Sequence, residues 1–398
     1  MRVGILKPDF HITGGFELVL SHITSVLEER GHQVGWEEVE AAHPARTARG
    51  LAIPDPIWSE LPELFRYLTV VEGFERLDLS RWDLVISTQP PSLHGRHPRH
   101  LALFFHHHRP YYDLSDVYVE AGFVDPALHA RAERGIRAVD APAFAAVTGW
   151  CAGSEVVAER LAAFNGIRSG VGIYHAMTSL LATSAPDPAG DPFEHVLCVS
   201  RHEFPKRTEL MVSAMKHLPR RTGMLVGTGG RLPFVEQVDA RLSRPGVDLD
   251  AVDARSLWCN TGVASAVEPA SAGSRSNVTM AGQVSVDDLS RLYRGALCVV
   301  APALQEDYGL TALEAMAHAK PLVVCRDGGG LVDFVVDGET GFVVEPTGAA
   351  IGAALQCLVE DPELARKMGA AALERSRRFT WDRAKTEFLE TFDRVADA

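Results

Sequence analysis

The chain has 398 residues, a formal net charge of −13 and 46% hydrophobic residues. That hydrophobic share supports full-sized cores and excludes a disordered chain, and at about 150 residues per domain the length suggests two domains. The acidic balance argues against wholesale nucleic-acid binding, and no apolar run approaches the roughly 20 residues of a membrane span. The amino-terminal segment lacks the apolar region of a signal peptide, so the expected location is cytoplasmic. Six scattered cysteines (Cys151, Cys198, Cys259, Cys298, Cys325 and Cys357) form no Cys-x-x-Cys pair and read as reduced thiols.

Val3, Ile5 and Leu6 make a first strand, followed by the loop His11-Ile12-Thr13-Gly14-Gly15. Leu18, Leu20, Ile23 and Leu27 recur at helical spacing and predict an amphipathic helix over 16–30, ended by Gly31. Glycines in such a loop let backbone approach a ligand, and a plain turn is the competing reading. The Gly-x-Gly-x-x-Gly dinucleotide fingerprint is absent. Residues 36–80, broken by Pro44, Pro54, Pro56 and Pro62, show no clear period. Residues 82–87 and 101–105 read as strands. After the second comes His106-His107-His108-Arg109. Consecutive residues on an extended chain face opposite ways, which disfavours a shared metal; one histidine as a hydrogen-bonding site residue fits better. A helix over 126–140, a short strand at 145–147, a helix capped by Ser154 and a strand at 172–174 complete the first half. Residues 179–191, rich in proline, serine and threonine, read as a linker.

The pattern then restarts. Strands are expected at 196–200, 224–227, 278–280, 296–301, 321–325 and 341–344, with helices at 208–218, 286–293 and from 310, and two helices finish the chain. Residues 245–277 lack periodicity and read as a surface loop. Strands alternating with helices on both sides of a linker imply an α/β fold of two doubly wound domains.

In the second half, four features follow predicted strands: Arg201 with Lys206, Gly229-Gly230, Glu306 to Glu314, and Gly328-Gly329-Gly330. A guanidinium and an ammonium in one loop suit a diphosphate. The start of a helix near Leu310 offers free amides to the same anion. Carboxylates suit hydroxyls, Glu306 those of a sugar ring and Glu314 those of a ribose. Each residue alone also fits a solvated surface; their ordered recurrence at strand ends carries the reading.

The run from Glu306 to Gly341, with two glutamates separated by seven intervening residues, Pro321 and Gly328-Gly329, resembles retaining glycosyltransferases of the GT-B fold, family 4. Arg201 and Lys206 match that family's diphosphate-binding pair, and Gly14-Gly15-Phe16-Glu17 its amino-terminal glycine loop. The resemblance implies two Rossmann-like domains facing a cleft: an acceptor domain over 1–178, a nucleotide-sugar domain over 192–378, and a helix over 379–398 crossing back to the first. It implies a nucleotide-diphosphate sugar as donor substrate, with no further cofactor and no metal, and transfer to an acceptor hydroxyl. A soluble acceptor is favoured, since no strongly basic amphipathic helix is evident; a homodimer is compatible with the reading. Glu306, His106, Arg201 and Lys206 would serve catalysis. Gly14, Gly15, Arg201, Lys206, Gly309, Leu310, Thr311 and Glu314 would hold the donor. His106 fits the family's histidine best by its distance to Arg109, with His107 a contender. The same fold also hosts sugar-nucleotide epimerases, sugar-phosphate synthases and non-catalytic sugar-nucleotide binders. Asp248-Leu249-Asp250 has the spacing of a metal-binding Asp-x-Asp, but no apolar strand precedes it.

Overall fold

A computed structural model describes residues 1–11, 15–48, 50–178, 193–260 and 276–397. Gly14 and the expected linker at 179–191 lie outside the described residues, as do residues 261–275 of the expected loop. The chain divides into two compact units, Met1–Ala176 with Thr380–Ala398, and Met177–Phe379.

In the first unit, β1 (Arg2–Asp9) buries Val3, Ile5 and Leu6 completely. Helix α1 (Gly15–Glu29) buries Leu20, Ile23 and Leu27 of the predicted stripe together with Val19 and Val26, while Leu18 stays half-buried. Next comes β2 (Gln33–Glu40), then a small antiparallel hairpin of β3 (Thr47–Ala48) and β4 (Leu51–Ala52). The prolines that obscure this region start helices: α2 (Asp55–Glu60) and α3 (Pro62–Glu75) each carry one in the first turn, where no amide hydrogen is missed. The rest is β5 (Leu84–Ser87), β6 (His100–Phe104), α4 (Ser115–Glu120), α5 (Pro126–Ala146), β7 (Gly149–Ala152), α6 (Glu155–Asn165) and β8 (Val171–Ile173). The expected strand at 145–147 is therefore corrected: α5 runs on through Pro142 to Ala146, and the strand begins at Gly149. Phe144, buried against Phe104 and Trp150, holds the last turn in place, so tertiary packing outweighs the proline.

The second unit begins with β9 (His195–Val199), α7 (Thr208–Lys216), β10 (Thr222–Val226) and α8 (Leu232–Leu242). Where a surface loop was expected, α9 (Ala254–Trp258) is capped by Asp253 and buries Leu257 and Trp258. One turn is too short to show a period, so its burial was invisible in the sequence. Then follow β11 (Val278–Gly282), α10 (Val286–Gly295), β12 (Ala296–Ala301), α11 (Leu310–Ala317), β13 (Leu322–Cys325), β14 (Gly341–Val344), α12 (Gly348–Glu360) and α13 (Pro362–Ser376). With α14 (Trp381–Ala396), three helices follow the last strand rather than two.

Both sheets are parallel and six-stranded, in the orders β2-β1-β5-β6-β7-β8 and β11-β10-β9-β12-β13-β14. Each order reverses direction once, at β1/β5 and at β9/β12. With right-handed crossovers, the reversal puts helices on opposite faces and opens a crevice at the carboxyl ends of those two strands. Helix α14 packs on the first sheet, against β7 and β8. Glycine permits this contact: a Cβ on Gly149 would lie 2.2 Å from Val395, and one on Gly172 2.0 Å from Thr391.

Candidate active site

The crevice of the second sheet lies between the loops after β9 and β12, and those loops hold the residues singled out above. Lys206 Nζ lies 2.5 Å from Glu306 Oε2. The next residue, Arg207, ties the loops together. It has φ +49° and is fully buried. Its guanidinium donates to the carbonyls of Pro302 (2.7 Å) and Ala303 (3.0 Å), and to both Asp327 oxygens, at 2.6 and 2.8 Å. Trp258 covers it, 5.1 Å from ring centre to guanidinium carbon. A buried cation needs such complete pairing, because an unpaired one would be too costly to desolvate.

A third loop, after β13, completes the frame. Gln305 N donates to Asp327 O, Glu306 N to Gly328 O and Gly330 N to Glu306 O, all within 2.9 Å. Gly329 has φ +60°, and a Cβ there would lie 2.5 Å from the Glu306 carbonyl oxygen. Gly229 is likewise pressed against His202, with a virtual Cβ 2.3 Å from its oxygen. These glycines thus let loops approach one another.

At the start of α11, Gly309 takes φ +129°. The amides of Leu310 and Thr311 have no backbone acceptor among the described residues, leaving the helix end open to an anion. One turn on, Glu314 accepts from Thr178 Oγ1 (2.9 Å) at one oxygen and from Tyr293 Oη (2.8 Å) at the other. Burial holds its carboxyl above the usual range, although both donors pull the other way. Arg201 is exposed at the rim and makes no ion pair among the described residues.

In the first unit the three histidines separate. His107 is buried, with Nε2 2.7 Å from Asn165 Oδ1 and its ring stacked on Tyr112 and Phe144; desolvation lowers its pKa to about 4. His108 stacks on Tyr67 and is lowered to about 4 by the same cause. His106, half-buried like His108, lies beyond the end of β6, with Nε2 3.2 Å from Gln89 Oε1 and Nδ1 donating to His107 O at 2.7 Å. Gly15 opens α1 and is exposed.

Sequence reasoning missed Arg207, Asp327, Thr178 and Tyr293. In Pro205-Lys206-Arg207 nothing local says which cation turns inward. Tyr293 lies one helix before Glu314, and only the sheet order brings the two together.

A pair of parallel sheets in these orders, with anion-suited loops at the reversal of the second, defines a GT-B protein of two Rossmann-like domains. Residues 268–375 match the family model for glycosyl transferases group 1. A D-inositol 3-phosphate glycosyltransferase of Corynebacterium diphtheriae is 41% identical over 106 residues, 26% of this chain and 24% of that protein. Another, from an Arthrobacter species, is 37% identical over 127 residues, 32% and 30% of the two chains. The match thus spans about a quarter to a third of the curated relatives' length. Among solved structures, sucrose-phosphate synthase of Thermosynechococcus elongatus aligns over 98% of both chains with a TM-score of 0.68 and 19% identity. Anabaena HepE in complex with UDP-glucose aligns over 99% of both, with a TM-score of 0.65 and 17% identity. At such identities these two likenesses speak to the fold.

Proposed function

We propose that the protein transfers a glycosyl group from a nucleotide-diphosphate sugar to an acceptor hydroxyl, keeping the anomeric configuration and using no metal. The observation that carries the reading is the Lys206–Glu306 pair at the β9/β12 reversal, beside the open end of α11. The family match over 268–375 supports it.

In this reading Arg201, Lys206 and the amides of Leu310 and Thr311 hold the diphosphate, and Gly309 lets the chain turn beneath it. As the bond to the sugar breaks, negative charge grows on the leaving diphosphate. Fixed cations and amide dipoles stabilise that charge without reorganising. Glu306, relieved of Lys206 when phosphate attracts the ammonium, turns to the sugar hydroxyls. Glu314, already oriented by Thr178 and Tyr293, accepts from the ribose. In the same reading Gly14 and Gly15 also hold the donor, and His106 serves catalysis.

UDP-glucose is the donor to try first, followed by GDP-, dTDP- and ADP-glucose. A ligand of the folded state raises the melting temperature, so one donor should produce a shift. Nucleotide should then be released on adding a hydroxylated acceptor, and not from Glu306→Ala. Absence of any shift across the panel, together with no nucleotide release, overturns the reading.

A further inference from the structure

A second cavity of about 420 Å³ lies in the first unit between the 93–98 segment, the carboxyl end of α3 and the last turns of α5. The 93–98 segment leads into the amino end of β6 and α5 leads into that of β7, so the cavity is at the opposite end of the sheet from His106. The candidate site does not use it.

Its polar wall is built from within. Asp140, 1% exposed, accepts from Tyr67 Oη at 2.7 Å, Tyr112 Oη at 2.7 Å and His94 Nε2 at 3.1 Å. Two phenol donors and one imidazole donor around a buried carboxylate place the His94 proton on Nε2. In the neutral ring Nδ1 is then an acceptor. His94 is only 4% exposed and lines the cavity, yet Nδ1 has no hydrogen bond among the described residues. The closest charged group facing it there is Glu75, whose Oε1 is 3.9 Å away, too far for a direct bond. Nδ1 and Oε1 therefore converge 3.9 Å apart at the cavity, whose rim also carries Arg96 and His97. Facing them are the apolar walls of Leu93, Val139, Pro142 and Ala143.

We propose that this cavity binds a small neutral ring bearing two adjacent hydroxyls: one donates to His94 Nδ1, the other to Glu75, and the ring's C–H face lies on Val139 and Pro142. Neighbouring hydroxyl oxygens on such a ring are spaced to reach both acceptors, and the apolar wall removes hydrocarbon surface from water. The site is independent of the glycosyl-transfer reading.

The test uses the full chain with ¹⁵N-labelled histidine, the His94 resonance being assigned by His94→Gln. cis-Cyclohexane-1,2-diol should shift the His94 signals saturably. Cyclohexanol, lacking one donor, should bind about ten-fold more weakly. Ala146→Trp, at an exposed lining position, and Ala143→Phe should each fill the space and abolish the shift while leaving the fold intact by circular dichroism. No saturable shift, equal affinity for the two probes, or a shift that survives in Ala146→Trp overturns the proposal.

Discussion

Lys206 Nζ and Glu306 Oε2, a hundred residues apart in the chain, meet at 2.5 Å across the reversal point of the second sheet. The pair needs two exact loop placements, and Arg207 and the 327–330 loop supply them. Without a phosphate the ammonium and carboxylate neutralise each other, which keeps both charges in place at the crevice.

Replacing the two rim cations should separate binding from folding. Arg201→Ala and Lys206→Ala should each weaken affinity for the donor nucleotide by about 10- to 100-fold, the worth of a charge-assisted hydrogen bond. Isothermal titration with UDP will measure it. Arg201, exposed and unpaired with any described carboxylate, should leave the melting temperature unchanged when removed.

Arg207 should behave in the opposite way. Arg207→Ala strands Asp327 and two carbonyls, and should cost about 2–3 kcal/mol. That is below the 3–5 kcal/mol of a pair buried at both ends, because the Asp327 side chain is 34% exposed. Arg207→Gly loses the same bonds but suits φ +49°, so it should unfold about 1 kcal/mol later than the alanine variant. Urea denaturation of the full chain will rank the three.

The buried histidines give a pH dependence with a defined direction. His107 and His108 are held near 4 and His100 near 3, all below their ordinary 6.5 by desolvation. Between pH 6.5 and 4 the unfolded chain takes up protons that the folded chain refuses. Stability should therefore fall as pH drops through that window, each histidine contributing at most about 1.4 kcal/mol per pH unit. His107→Phe, which keeps the stack on Tyr112 and Phe144, should flatten the slope of urea midpoint against pH; an unchanged slope would assign the effect elsewhere.

Glu314 runs the other way. Its folded pKa is raised above 4.5, so the folded state prefers the protonated form. Its contribution is present below the ordinary pKa and is lost as pH rises through the folded one. Glu314→Gln removes that loss. The variant should gain stability relative to the parent at pH 7.5 compared with pH 4.5, and should bind UDP more weakly if the carboxylate accepts from ribose. Melting curves at both pH values and a UDP titration will check the two halves.

Periodicity made the two α/β halves legible, because strand and helix stripes such as Val3-Ile5 and Leu20-Ile23-Leu27 are local consequences of burial. Glu306 and Glu314 were legible too, since the strand, loop and helix that carry them are contiguous. Helix α9 and the end of α5 were not legible: Trp258 and Phe144 are held by partners distant in sequence, and neither segment's own pattern encodes them.

The sequence by itself determined the alternation of strands and helices in both halves and the strand-end position of the charged loops. Only the tertiary structure decided which of adjacent like residues turned inward. Arg207 is buried while Lys206 stays at the crevice, and His107 is stacked in the core while His106 remains half-open. Neighbours in a chain share composition and charge but leave the backbone in different directions. Which side chain is desolvated therefore depends on partners that sheet order brings together: Asp327 and Trp258 for Arg207, Asn165 and Tyr112 for His107.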